Sequence, residues 1–143
     1  MGKYYLDPNL GTLKISPKNN KDYFPKSKYV KELSPSHFDV YKTINLVDDK
    51  CCFVLFYAPW CGYCKKLRNI WKELGRVANF TNIYAFNCEK YKSHLNKMRY
   101  EDPNLIKTFP SLVLYKNKKP YKKYEGERTL KELLNFVLYN CEN

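Results

Sequence analysis

Residues 51–67, CCFVLFYAPWCGYCKKL, limit what this chain can fold into more than any other stretch. Residues 53–57 are an unbroken run of aromatic, β-branched and aliphatic side chains. Such a run reads as a strand buried on both faces, the centre of an α/β sheet. Pro59 ends it, because proline cannot donate to a ladder and fixes its own φ. From Lys65 to Asn79 the apolar residues Leu67, Ile70, Trp71, Leu74 and Ala78 recur at three- and four-residue spacing, which predicts a helix. Cys61-Gly62-Tyr63-Cys64 therefore sits on a strand-to-helix step.

That position has chemical consequences. The first amides of a helix lack intrahelical partners, and their dipoles favour an anion. The thiol of Cys61 is expected to have a lowered pKa there. Cys64, one helical turn further in, is placed to attack a mixed disulfide formed at Cys61. Attack by the first thiolate and resolution by the second is dithiol–disulfide exchange. Zinc is the competing use of a Cys-x-x-Cys pair, but a tetrahedral site needs four ligands. The remaining clustered cysteines, Cys51 and Cys52, fall at the far end of the strand, and His37 and His94 stand alone. No metal is expected.

The segment FYAPWCGYCKKL resembles the active-site segment of the thioredoxin superfamily, and most nearly its protein disulfide isomerase branch. The resemblance implies an α/β thioredoxin fold, a central mixed β-sheet flanked by helices, and a thiol–disulfide oxidoreductase acting on cysteine-containing proteins. It implies no cofactor beyond a redox-active Cys61–Cys64 disulfide, and an upstream thiol oxidant or reductant that the sequence does not name. Phe109-Pro110-Ser111 is similar to the family's cis-proline step, so Pro110 is expected against the cysteines with its flanking backbone toward substrate. Tyr124-Glu125-Gly126-Glu127-Arg128-Thr129 is similar to the isomerase pattern before the last helix. By that match Arg128 modulates the pKa of Cys64. Trp60 and Phe109 are the expected substrate-binding aromatics, with Gly62 and Tyr63 inside the motif.

Three departures from the family stand out. Leu55 occupies the place of its buried acid, and Ala85 that of the acid's lysine partner. Losing both together avoids leaving one buried charge unpaired. Without the acid, Cys64 has no evident proton acceptor, and slow resolution at neutral pH is expected. Asn69 replaces the proline that kinks the family's active-site helix. Tyr63 replaces a histidine, so no imidazolium charge stands beside the thiolate.

The rest of the chain supports one domain. Its 143 residues suffice for a single core without disulfide staples. Residues 1–28, punctuated by Pro8, Gly11, Pro17 and Pro25, read as an extended N-terminal tail, with Tyr4, Tyr5, Leu6, Leu10, Leu13 and Ile15 available for docking. Residues 29–143 read as the thioredoxin-like domain. Within it strands are expected over 29–33, 53–57, 83–88, 110–115 and 121–124, with a hairpin turn at 117–120. Helices are expected from Ser34-Pro35 through Leu46, over 65–79, over 90–100 and over 129–139. Cys88 is expected in the core, and both histidines on the surface. Cys51, Cys52 and Cys141 should gather at the pole opposite the motif, where a bridge from either of the first two to Cys141 stays open.

The formal net charge of +12 favours acidic partners in general, nucleic acid and anionic membranes included. The lysines are scattered, however, and no interleaved aromatic-basic motif argues for a specific nucleic acid. Residues 1–30 lack a signal-peptide core, and no segment is long enough to span a membrane. The expected location is cytoplasmic by default, with the virion of a large DNA virus as the alternative. The rival function is a thioredoxin-fold binding or structural module with weak turnover.

Overall fold

The structure, a computed structural model, describes residues 3–5, 13–15 and 20–141. Its elements are β1 (Lys3–Tyr5), β2 (Leu13–Ile15), β3 (Lys31–Leu33), β4 (Cys52–Tyr57), α1 (Gly62–Val77), β5 (Asn82–Asn87), α2 (Lys92–Glu101), β6 (Ser111–Lys116), β7 (Lys119–Lys123) and α3 (Leu130–Cys141). β1 and β2 form a separate antiparallel pair. The other five strands form one mixed sheet in the order β3-β5-β4-β6-β7.

β4 is the middle strand, parallel to β5 and antiparallel to β6, and each of its six residues is buried. Side chains alternate across a strand. Phe53, Leu55 and Tyr57 accordingly join the core under Leu67, Trp71 and Leu74 of α1 and Leu133 and Val137 of α3. Cys52, Val54 and Phe56 face the other layer with Leu95 and Met98 of α2. A large apolar side chain buried this way contributes about 1.5–3 kcal/mol, so β4 anchors both layers. Gly75 lets α1 press onto the neighbouring loop: a Cβ there would lie 2.5 Å from the carbonyl oxygen of Tyr29. Asn69 leaves α1 uninterrupted from Gly62 to Val77.

The expected helix over 34–46 is not formed. Ser34 and Pro35 start only a 3-10 turn, Pro35–His37, closed by the reciprocal contacts of Ser34 and His37. Asp39 then accepts hydrogen bonds from the amides of Tyr41 and Lys42 at 2.7 and 3.0 Å, a side-chain turn that competes with helix. Phe38 bridges Leu46 in antiparallel fashion, and Val40 and Tyr41 point into solvent, 85% and 95% exposed. The expected strand over 29–33 shortens to Lys31–Leu33. The β6–β7 hairpin closes at Asn117 and Lys118, with φ of 53° and 73°, the left-handed pair that matches strand twist.

His94 is also not on the surface. It is 9% exposed, packed against Phe38 and Phe86, with Nε2 3.2 Å from the carbonyl oxygen of Thr43. Burial lowers its pKa. Cys88 is buried as expected. At the end of the sheet where β4 begins, Cys51 and Cys141 are joined by a disulfide, Cα–Cα 5.6 Å, and Cys52 remains a buried thiol.

The side chains of Tyr4, Tyr5, Leu6, Leu10, Leu13 and Ile15 lie outside the described residues. The residues of the N-terminal segment seen to enter the core are Tyr23 and Phe24, 6% and 4% exposed. Asn87, at the end of β5, holds the same segment through Nδ2, which donates to the carbonyl oxygen of Asn20 and to Asp22 Oδ1.

Candidate active site

β4 ends at Tyr57, and the backbone turns through residues 58–60, closed by the Cys61 amide donating to the Ala58 carbonyl at 3.0 Å. Cys61 is the N-cap of α1, in extended conformation, and its carbonyl accepts from the Lys65 amide. The strand-to-helix step is thus where residues 51–67 placed it. Cys61 is 9% exposed and Cys64 fully buried, and both are free thiols.

The antiparallel register sets Ser111 opposite Phe56, which brings the residues before β6 alongside the end of β4. The Phe109–Pro110 peptide bond is cis. The Cys61 thiol lies 3.6 Å from the carbonyl oxygen of Phe109. Trp60 meets the Phe109 ring edge-on at 6.2 Å, and its indole N–H donates to Glu89 at 2.8 Å. With Trp60 44% and Tyr63 67% exposed, an apolar rim surrounds the thiols. Gly62 is exposed with open space around it. Arg128 stands in a cleft of about 410 Å³ shared with Pro110 and Ser111.

Burial pushes the Cys64 thiol up to about 12, a shift that contact with Cys61 reinforces and the charge of Arg128 opposes. Leu55 and Ala85 are directly opposite each other in β4 and β5, both 0% exposed, so the expected loss of a buried charge pair is a real lateral apolar contact.

A half-buried acid is nevertheless present one strand further out. Glu32 of β3 is opposite Ala85, in line with Leu55 on the face covered by α1. Its Oε2 accepts from the Tyr57 hydroxyl at 2.7 Å and the Phe24 amide at 3.0 Å, while its Oε1 is buried without a partner. Burial raises its pKa to about 7 against those two hydrogen bonds. The Tyr57 hydroxyl in turn accepts from the Tyr23 amide at 2.8 Å, and the two rings stack at 4.2 Å. The Tyr23 hydroxyl donates to the Pro59 carbonyl at 3.0 Å. Burial first, then Cys64 and Cys61, raise that phenol to about 12. Glu32, Tyr57 and Tyr23 thus join the N-terminal segment to the active-site turn. The sequence signal was an acid in a short strand, legible only once its register against Ala85 is known.

Among the described residues no group of three or more His, Cys, Asp or Glu is disposed to hold a metal, and no helix is long and apolar enough to cross a membrane.

Two thiols at a strand-to-helix step, facing a cis X–Pro bond across a mixed sheet, define a dithiol protein of thioredoxin architecture. The chain belongs to the thioredoxin family, whose model matches residues 29–138. It is 37% identical over 92 residues to protein disulfide isomerase-like 2-1 of Oryza sativa subsp. japonica, covering 62% of this chain and 24% of that protein. It is 33% identical over 110 residues to protein disulfide-isomerase 1 of Dictyostelium discoideum, covering 73% and 28%. The chain therefore spans about a quarter of these curated relatives. Among solved structures, the J-Trx1 fragment of ERdj5 superposes with TM-score 0.67 at 23% identity, over 85% of this chain and 56% of that one. The Trx4 domain of ERdj5 gives 0.62 at 22%, over 80% and 96%.

Proposed function

We propose that this protein is a thiol–disulfide oxidoreductase of the disulfide isomerase type, with Cys61 as nucleophile and Cys64 as resolving thiol. The observation that carries the reading is the pair of unbonded cysteines at the N-terminus of α1, next to the cis Phe109–Pro110 bond. The relatives named protein disulfide isomerase support it.

In the reductive direction the Cys61 thiolate attacks one sulfur of a substrate disulfide. The S–S bond breaks, the other substrate sulfur leaves as thiolate, and a mixed disulfide forms at Cys61. Cys64 loses its proton and attacks Cys61 Sγ, which releases the second substrate thiolate and leaves Cys61–Cys64 oxidised. A thiol reductant restores the dithiol. Run backwards from the disulfide form, the same steps oxidise a substrate dithiol and call for a thiol oxidant. Trp60, Tyr63 and Phe109 offer apolar contact to an unfolded chain, and the backbone beside Pro110 offers hydrogen bonds to it. Arg128 assists ionisation of Cys64. No specific nucleic acid takes part.

The Cys51–Cys141 disulfide favours an oxidising compartment, since structural disulfides are rare where thiol reductants dominate. That argues against the cytoplasmic expectation.

The test is turnover of a disulfide-bonded protein such as insulin with a thiol reductant in excess, wild type against Cys61→Ser. Turnover that disappears in the variant supports the reading; an inactive wild type, fully folded and reduced, overturns it.

A further inference from the structure

Beside the active-site turn lies a cleft of about 920 Å³, walled on one side by residues 21–29 and on the other by α1, with Pro59 at its end. Six of the fourteen residues lining it are cationic: Lys21, Lys26, Lys28, Lys65, Arg68 and Lys72. Lys65, Arg68 and Lys72 follow at three- and four-residue spacing, which puts them on one face of α1. The single acid of the lining, Asp22, is already engaged, 3.3 Å from Lys90 Nζ and 3.1 Å from Asn87 Nδ2. Among the described residues, the ion pairs leave Lys26, Lys28 and Lys65 without a carboxylate partner.

Scattered surface lysines do not make a site; here the wall that carries them is fixed. Tyr23 and Phe24 are buried in the core, their amides are bonded to Tyr57 and Glu32, and the Arg68 guanidinium lies 5.2 Å from the centre of the Tyr23 ring. Residues 21–28 precede the part of the chain that matches the family model, so one side of the cleft lies outside that match. Six like charges held around one concave surface repel one another and focus a positive potential in it.

We propose that this cleft docks an acidic segment of the protein substrate, a few residues from the cysteine that reacts with Cys61. Pro59 and Lys65 border both the cleft and the motif, so a chain held at Cys61 enters the cleft within a few residues at about 3.3 Å each. The cleft takes carboxylate side chains and leaves the chemistry at the thiols unchanged. This rests on the oxidoreductase reading and adds a substrate class to it: cysteines flanked by Asp and Glu.

The experiment uses the full chain and three otherwise identical disulfide-bonded peptides, flanked by four glutamates, four glutamines or four lysines. Exchange at low ionic strength is expected to be about tenfold faster for the glutamate than for the glutamine peptide and slowest for the lysine peptide, with the spread collapsing in high salt. Lys26→Glu/Lys28→Glu/Lys72→Glu, all exposed positions, removes the glutamate preference. Lys97→Glu/Lys107→Glu/Lys119→Glu, exposed positions outside the cleft, keeps it although the net charge changes equally. Equal rates for the three peptides, or a preference lost equally in both triple variants, overturns the proposal. So does a short DNA duplex that binds through the cleft lysines while the peptides show no preference. A cysteine-free glutamate peptide, followed by fluorescence anisotropy, separates the two readings. If nothing is exchanged, the oxidoreductase reading falls, and salt-sensitive binding lost only in the cleft variant still supports the cleft.

Discussion

The two ends of β4 each carry a pair of cysteines, and the pairs differ in almost every property that governs sulfur chemistry. At the end where the strand begins, Cys51 is bonded to Cys141, the last residue of α3. At the other end Cys61 and Cys64 are thiols at the first turn of α1. A helix C-terminus disfavours a thiolate, whereas a helix N-terminus stabilises one. The first pair is flanked by Thr81, whose hydroxyl donates to the Cys51 carbonyl at 2.5 Å; the second is flanked by the exposed rings of Trp60 and Tyr63. Placement on a helix thus sets the two pairs apart, one at the end of α3 and the other at the start of α1.

The comparison breaks most sharply by exchanging the roles of the two pairs. Cys61→Ser is expected to lower disulfide turnover by about a thousandfold or more, since an alcohol at that position cannot form the mixed disulfide. Cys51→Ala/Cys141→Ala should retain turnover within about twofold. Instead it should lose about 2–4 kcal/mol of stability in denaturant titration, because a crosslink spanning 90 residues is removed from the unfolded chain. Loss of turnover as deep as that of Cys61→Ser would make the bonded pair a redox partner and end the contrast.

A third test concerns the carboxyl on the face between the two pairs. In the folded protein Glu32 has its pKa raised from 4.5 to about 7, so the unfolded chain gives up that proton at lower pH. The contribution of Glu32 to stability is then greatest below about 4.5, falls as pH rises toward 7, and levels off above it, by up to about 3 kcal/mol. Glu32→Gln, which can still accept from Tyr57 and Phe24, should flatten that slope and raise the melting temperature at pH 8. An unchanged slope would mean that Glu32 is ionised without penalty.

The smallest effect is expected from restoring the charge pair. Ala85→Lys alone sets an ammonium opposite Glu32 across β3 and β5, and should move the Glu32 carboxyl down by about one pH unit in an NMR titration. Adding Leu55→Glu should speed release of product from the mixed disulfide at Cys61 severalfold at pH 7, if proton removal from Cys64 limits it. Equal rates would assign the proton to solvent.

The core and the dithiol were legible because their signals are local. A run of apolar residues, a proline and a helical period suffice to place Cys61 and Cys64. The cis bond at Pro110 was legible through resemblance. What was not legible depended on contacts far apart in sequence. Residues 38–46 show apolar positions on one side, but Asp39 caps the amides of its neighbours and Phe38 pairs with Leu46, so the segment folds as loop. Tyr23 and Phe24 lie among lysines and prolines and gave no periodic signal. His94 reads as polar until Phe38 and Phe86 enclose it. Glu32 acquires meaning only from its register against Ala85. That Cys51, rather than Cys52, joins Cys141 follows from strand alternation: Cys52 turns into the layer with Val54 and Phe56.

The Cys51–Cys141 bond also fixes how the molecule carries load. Tension applied at the two ends of the chain follows the covalent path through residues 20–51 and across the disulfide to Cys141, so once the contacts of residues 20–50 with the sheet have yielded, residues 52–140 lie outside the loaded path. The thiols, Pro110 and Arg128 all lie inside that mechanically silent loop, while the segment carrying Tyr23 and Phe24 lies in the path. Pulled from both ends, the oxidised protein should release its N-terminal segment and stop. Once the bond is reduced, roughly 300 Å of further contour length should appear, at about 3.4 Å for each residue freed.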